Sequence, residues 1–173
     1  MILFVDLAKS CGGAEIRVLS TMRGLGRSRR CGAVVLKESP LHQRLKAEGF
    51  KTFGLPYWRG SVRNALAISK IIEQNNISVV DTQNAQSHLW GITAAALNGG
   101  SVARVVTAHS SRDMTISSRK QFMYDCVLRL CNSLNTNFVA VSKSVGQYLK
   151  DLKISSEKIT LISNGIDIHG LTQ

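Results

Sequence analysis

The chain has 173 residues (18.9 kDa), is 44% hydrophobic and carries a formal net charge of +11 with an isoelectric point near 10.0. That length suits one domain with a sizeable core, and the charge implies attraction to an anion, whether nucleic acid, a lipid surface or a phosphorylated substrate. No apolar run approaches about 18 residues and no basic stretch precedes the short apolar start, so the sequence predicts neither a membrane span nor an export signal.

In chain order, Ile2 to Val5 reads as a buried strand that meets Gly12-Gly13 and then a segment with apolar residues at helical spacing. The two glycines permit positive φ and close approach of a ligand to the backbone. The helix start beyond them offers free N–H groups and partial positive charge, a setting for phosphate. Further β-branched runs follow at Ala33 to Leu36, Thr52 to Leu55, Ser78 to Asp81, Arg104 to Thr107, Phe138 to Val141 and Ile159 to Ile162.

Helix patterns separate these runs. Ser39-Pro40 caps and opens one that Gly49 stops. Ser61 opens another, with Ala65, Leu66, Ile68, Ile71 and Ile72 on its apolar face and Asn75-Asn76 at its end. Ala85 to Leu97 closes at Asn98-Gly99-Gly100, Ser117 to Cys131 is long and amphipathic, and Ser142 caps a helix running to about Asp151. Strand and helix in alternation predict an α/β, Rossmann-like parallel sheet flanked by helices, a single domain over 1–173.

Ligands of such sheets bind at the C-terminal strand ends, where Gly12, Gly13, Asn84, His109, Ser142 and Asn164 fall. The four cysteines (Cys11, Cys31, Cys126, Cys131) lack metal-ligand or disulfide-framework spacing, so no metal is expected and free thiols in a reducing cytoplasm are. His42, His88 and His169 match no motif and read as surface or packing residues.

The strand ends carry a resemblance. Gly12 to Glu15, Asp81-Thr82-Gln83-Asn84 with Gly91 downstream, and Val106-Thr107-Ala108-His109 occur in order. Val139 to Val145 and Lys158 to Asp167 follow them. Together they resemble the N-terminal half of the retaining GT-B glycosyltransferases of family 4, or group 1, over essentially the whole chain. The resemblance implies sugar transfer from a nucleotide-sugar without a metal or other cofactor, to a saccharide or lipid-linked acceptor held by this half. It further implies a C-terminal nucleotide-sugar domain that is absent from the chain, so that the chain alone lacks turnover.

In that family Gly12 and Gly13 would approach the donor diphosphate, and His109 would contact the donor sugar near the reacting centre. Glu15 is read as an acceptor contact or as a helix-start charge, and Ser142 as a cap as well as a cleft residue. Asn84 and Asn164 are cleft candidates, and Asp167 belongs to the turn that follows. Gln83 departs from the histidine that many members carry there.

Basic residues cluster at Arg23, Arg27, Arg29 and Arg30, and again at Arg112, Arg119, Lys120 and Arg129 beside Phe122, Met123, Leu128 and Leu130. Such a helix suits either a solvated charged face or peripheral binding to an anionic membrane on its cytoplasmic side, in keeping with cell-envelope polysaccharide or lipopolysaccharide synthesis. The competing reading is a non-catalytic module that binds a saccharide or nucleic acid. Nucleic acid is disfavoured because Tyr57-Trp58-Arg59 is the only compact aromatic-basic cluster.

Overall fold

Each apolar run becomes a strand because its β-branched residues pack on both faces of a sheet that is covered by the intervening helices. A computed structural model describes residues 1–26, 31–110 and 117–165. The strands are β1 (Ile2–Asp6), β2 (Cys31–Leu36), β3 (Thr52–Leu55), β4 (Val79–Thr82), β5 (Ala103–Ala108), β6 (Asn137–Ala140) and β7 (Ile159–Leu161). Between them lie α1 (Gly13–Leu25), α2 (Pro40–Ala47), α3 (Arg63–Gln74), α4 (Ala85–Leu97), α5 (Ser118–Ser133) and α6 (Lys143–Asp151).

All pairings are parallel, in the order β3-β2-β1-β4-β5-β6-β7. The chain leaves β1 toward β3, then returns to place β4 on the other side of β1. The switch point is therefore between β1 and β4, where loops diverge and leave a crevice at the strand ends.

Strand alternation divides the core. Phe4, Ala33 and Val35 face Val18, Met22 and Leu45 of α1 and α2. Leu3, Val5, Val34 and Val80 face Ile68, Ile72, Ala94 and Ala95 of α3 and α4. Val106, Ala108, Phe138 and Ala140 meet Leu128 of α5 and Leu149 of α6 on that second side.

The expected helix signals operate locally. Ser39, Asn84 and Ser142 each accept a hydrogen bond from the third residue on, at 3.1 to 3.2 Å. Gly49, Asn76 and Gly99 turn the chain at φ of 75°, 50° and 82° after their helices. One start differs: Ser61 accepts from the Arg63 N–H (3.3 Å) in a turn before α3, so the helix begins at Arg63. All four cysteines are free thiols.

Gly91 sets how closely α4 sits on the sheet. A Cβ there would lie 2.6 Å from Thr82 Cγ2 and 3.5 Å from Val5. Gly91→Ala is expected to cost about 1 to 3 kcal/mol by forcing helix and sheet apart, measured by urea denaturation.

Candidate active site

The rim at the switch point is assembled by a run of hydrogen bonds between β1, α1, α4 and β5. Gly12 precedes α1, and its N–H donates to Glu15 Oε2 (2.6 Å), so the Glu15 carboxylate closes the first turn of its own helix. Glu15 is buried, which makes it a capping group rather than an open acceptor contact.

The glycine pair does not use the positive φ that it permits. Gly12 is extended at φ −128°, and Gly13 is a helical residue without positive φ. Their use lies in space instead. A Cβ on Gly13 would meet nothing within 4 Å, and both glycines are exposed. The protein itself therefore does not need glycine at Gly13, and the opening there is available to a ligand.

Behind the loop sits Asp6, the last residue of β1 and almost fully buried. Its Oδ1 accepts from the Ala8 N–H (2.9 Å) and from the Asn84 side-chain amide (2.8 Å). Burial, and then the neighbouring Glu15 carboxylate, push the Asp6 carboxyl up to about 7. Asn84 also accepts from the Ser87 N–H and hydroxyl, while Ser87 Oγ accepts from the Leu7 N–H (2.9 Å). The start of α4 is thus tied to the end of β1 across the crevice.

A second network fixes His109, just past β5. Its Nε2 lies 2.9 Å from Gln83 Oε1. The Gln83 amide nitrogen makes no close hydrogen bond among the described residues, yet faces the Asp81 carboxyl and favours its ionised form. That orientation leaves Gln83 Oε1 to accept, so His109 carries its proton on Nε2 and keeps the lone pair on Nδ1. Thr107 donates to Asp81 Oδ1 (2.8 Å).

Burial raises Asp81 to about 6 against these bonds. His109 is depressed to about 4, first by burial and then by the Arg17 guanidinium on α1. His109 is therefore a neutral hydrogen-bonding group near pH 7. Arg17 is itself lowered by burial and favoured by Asp81.

Beneath this pair, His88 is fully buried, as a packing residue should be. Thr82 donates to the Val105 carbonyl (3.1 Å), so His88 Nδ1–H donates to Thr82 Oγ1 (2.9 Å) and its Nε2 has no partner among the described residues. Burial, with His109 nearby, depresses His88 to about 3.

Gly12, Gly13, Glu15, Asn84 and His109 therefore come to one rim. Ser142 stands one strand further on: it caps α6, and the Val141 N–H reaches the Ala108 carbonyl (3.4 Å) beside His109. Asn164 is exposed beyond edge strand β7, where its neighbours Ser163 and Gly165 line a cavity of about 530 Å³ with Arg17 and Thr21 of α1. Asp167, His169, Arg27, Arg29, Arg30 and Arg112 lie outside the described residues.

Sequence reading missed Asp6, Arg17, Gln83 as partner of His109, and Asp81. The available signal was an acid inside or ending an apolar strand, and a cation four residues after Gly13 on the same helix face. Among the described residues no three His, Cys, Asp or Glu side chains are grouped to hold a metal ion.

The family model for glycosyltransferase family 4 matches residues 11–169, which spans the glycine turn, both networks and the strand ends beyond them. The chain belongs to glycosyltransferase family 4. No curated protein matches it in sequence.

Among solved structures, this family 4 chain resembles HepE of Anabaena in complex with UDP and glucose, with 19% identity and a TM-score of 0.72 over 97% of the chain and 45% of HepE. A glycosyltransferase of Rickettsia africae matches with 24% identity and a TM-score of 0.67, covering 95% and 43%. The lipopolysaccharide outer core galactosyltransferase WaaB matches with 14% identity and a TM-score of 0.73, covering 96% and 46%. The chain thus spans less than half the length of these proteins and has the architecture of the N-terminal half of a GT-B glycosyltransferase.

Proposed function

We propose that this domain is the acceptor-side half of a retaining glycosyltransferase that moves a sugar from a nucleotide-sugar to a saccharide or lipid-linked acceptor, with no metal in the transfer step. The observation that carries the reading is the exposed start of α1 at Gly12-Gly13 on the same rim as the neutral His109–Gln83 pair, with Arg17 close to His109. Free N–H groups at a helix start match a diphosphate whose negative charge grows as it leaves, so they favour the transition state over the bound donor. His109 Nδ1, a lone-pair acceptor, suits a hydroxyl of the donor sugar. The nucleotide base and the basic residues that neutralise the phosphates belong, on this reading, to a C-terminal domain.

UDP-sugars are the first donors to try, since HepE was solved with UDP-glucose. Transfer and hydrolysis of a nucleotide-sugar panel, with and without the C-terminal domain added as a separate chain, tests the reading. Activity only with both halves supports it. Saccharide or nucleic-acid binding without any transfer overturns it in favour of a binding module. Within the active pair, Gly13→Ala should leave folding unchanged and lower transfer at least about tenfold, because the added methyl crowds only the ligand. An unaltered rate removes Gly13 from the diphosphate site.

The location that fits this reading is the cytoplasmic face of a membrane, within cell-envelope polysaccharide or lipopolysaccharide synthesis. No helix among the described residues is long and apolar enough to cross a membrane. The outer face of α5, however, exposes Phe122 and Met123 (67% and 61%) beside Arg119, Lys120 and Arg129, a pattern that suits an anionic bilayer surface. Cosedimentation with vesicles rich in phosphatidylglycerol, lost in Phe122→Ser/Met123→Ser, is the expected result.

A further inference from the structure

A second cavity, of about 570 Å³, opens at the ends of β2 and β3, with Lys9 of the β1–α1 loop on its near wall. Lys37 and Arg59 line it as well, and among the described residues Glu38 is the one acid there. Among the described residues the ion pair found is Arg23 with Glu48, so these three cations face the cavity without a carboxylate in pairing range.

Tyr57 and Trp58 complete the wall, and Trp58 is 69% exposed. The loop that carries this ring is fixed by hydrogen bonds. Trp58 O accepts from the Ser61 N–H (2.8 Å) and the Asn64 side-chain amide (3.0 Å), and Arg59 O accepts from Trp90 Nε1 (3.0 Å). The loop is thereby pinned to α3 and α4. The Trp58 ring lies over Gly60, where a Cβ would come within 2.4 Å of it. On the other wall, the Lys37 N–H donates to the Leu55 carbonyl (2.9 Å).

Uncompensated cations on a pocket of this volume select an anion, and a guanidinium selects a planar or tetrahedral oxyanion that it can hold through two hydrogen bonds. A fixed indole face selects a broad apolar surface such as the C–H face of a pyranose. A volume of about 570 Å³ suits one or two sugar rings.

We propose that this cavity is the acceptor subsite and that the acceptor is an anionic saccharide, with a phosphate or carboxylate on the sugar that is bound by Lys9, Lys37 and Arg59 while its ring stacks on Trp58. The inference rests on the glycosyltransferase reading above and narrows its acceptor to one chemical class.

Binding is measured on the 173-residue chain, without donor, by tryptophan fluorescence and by amide chemical-shift mapping. The probes are glucose 6-phosphate, glucuronate, glucose and inorganic phosphate. One of the two charged sugars should bind at least about tenfold more tightly than glucose or inorganic phosphate, and which one leads identifies the anion. Shifts should centre on Lys9, Lys37, Trp58 and Arg59. Lys37→Gln/Arg59→Gln should bring the charged sugar to the level of glucose. Gly60→Ala, which alters no charge, should weaken the sugars by displacing Trp58 and leave inorganic phosphate unchanged.

The proposal is overturned if neutral and charged sugars bind alike, if inorganic phosphate binds as tightly as the sugar phosphate and marks an adventitious ion only, or if the shifts fall elsewhere. It is also overturned if a single-stranded oligonucleotide displaces the sugar from these residues as the tighter ligand. Transfer to neutral acceptors alone, with no charged-sugar binding, sinks this inference and leaves the glycosyltransferase reading standing. Charged-sugar binding at this cavity without transfer in the presence of the second domain sinks that reading, and with it the assignment as an acceptor subsite.

Discussion

Replacing His109 with alanine, in a protein that carries both halves of the fold, is expected to lower sugar transfer about 10²- to 10³-fold, the usual cost of deleting one fixed hydrogen-bonding group at a reacting centre. Stability should change little, because His109 is a half-buried residue past the end of β5 rather than part of the core. The imidazole is held neutral by burial and by Arg17, and its tautomer is set by Gln83. Its contribution is thus orientation and hydrogen bonding, and the rate should show no His109 titration between pH 6 and 8.

Gln83→Leu provides the companion measurement. Loss of the Oε1 acceptor frees the tautomer, so transfer should fall about tenfold while the donor KM changes less, as when orientation rather than binding is lost. Full activity in His109→Ala would remove this histidine from the mechanism.

The pH dependence of stability supplies the second large effect. Asp6 and Asp81 are raised from 3.8 to about 7 and about 6, so the folded chain holds extra protons above pH 4, and this contribution to stability declines as pH rises through those values. His88 and His109 are lowered from 6.5 to about 3 and about 4, so the unfolded chain holds extra protons below pH 6.5, and their contribution declines as pH falls. Between pH 4 and 6 the two pairs oppose one another. The wild-type chain should therefore show a nearly flat unfolding free energy across that window.

Asp6→Asn breaks the balance. Oδ1 still accepts from Ala8 and Asn84, while the new amide nitrogen takes the place of Oδ2, which has no hydrogen-bond partner among the described residues, beside Glu15. With one carboxylic acid left against two histidines, stability should rise by about 1.4 kcal/mol per pH unit from pH 4 to 6. At pH 8 the variant should exceed the wild type, by at most about 4 kcal/mol, because it avoids ionising a buried carboxyl. Urea denaturation from pH 4 to 8 reads both effects. Profiles of the same slope in variant and wild type would show that Asp6 titrates normally.

The fold was legible because its signals are local. Ser39-Pro40, Gly49 and Asn98-Gly99 bound their helices by chemistry within four residues, and the β-branched runs fall where the strands are, with ends displaced by one or two residues. The rim was legible only in part. Gly12, Glu15, Asn84 and His109 stand next to strand ends and could be placed by topology. Asp6 meets Asn84 across 78 positions, and Thr107 meets Asp81 across 26, so neither pairing has a spacing to read. The glycine pair was read as permitting both positive φ and close approach of a ligand, because sequence does not distinguish a turn that needs glycine from a surface kept bare.

The interior position of β1 also governs the order in which this protein can be made. The first 55 residues complete β1, β2 and β3 with α1 and α2, while the far edge of β1 waits for β4. On a ribosome, that nascent half presents an unpaired parallel edge and the apolar face of Leu3, Val5 and Val34 until α3, β4 and α4 emerge. The bond from Asn84 to Asp6 and that from the Leu7 N–H to Ser87 Oγ close only at that docking event. Slow translation or chaperone depletion between residues 55 and 85 should therefore favour aggregation of a chain whose rim has not yet formed.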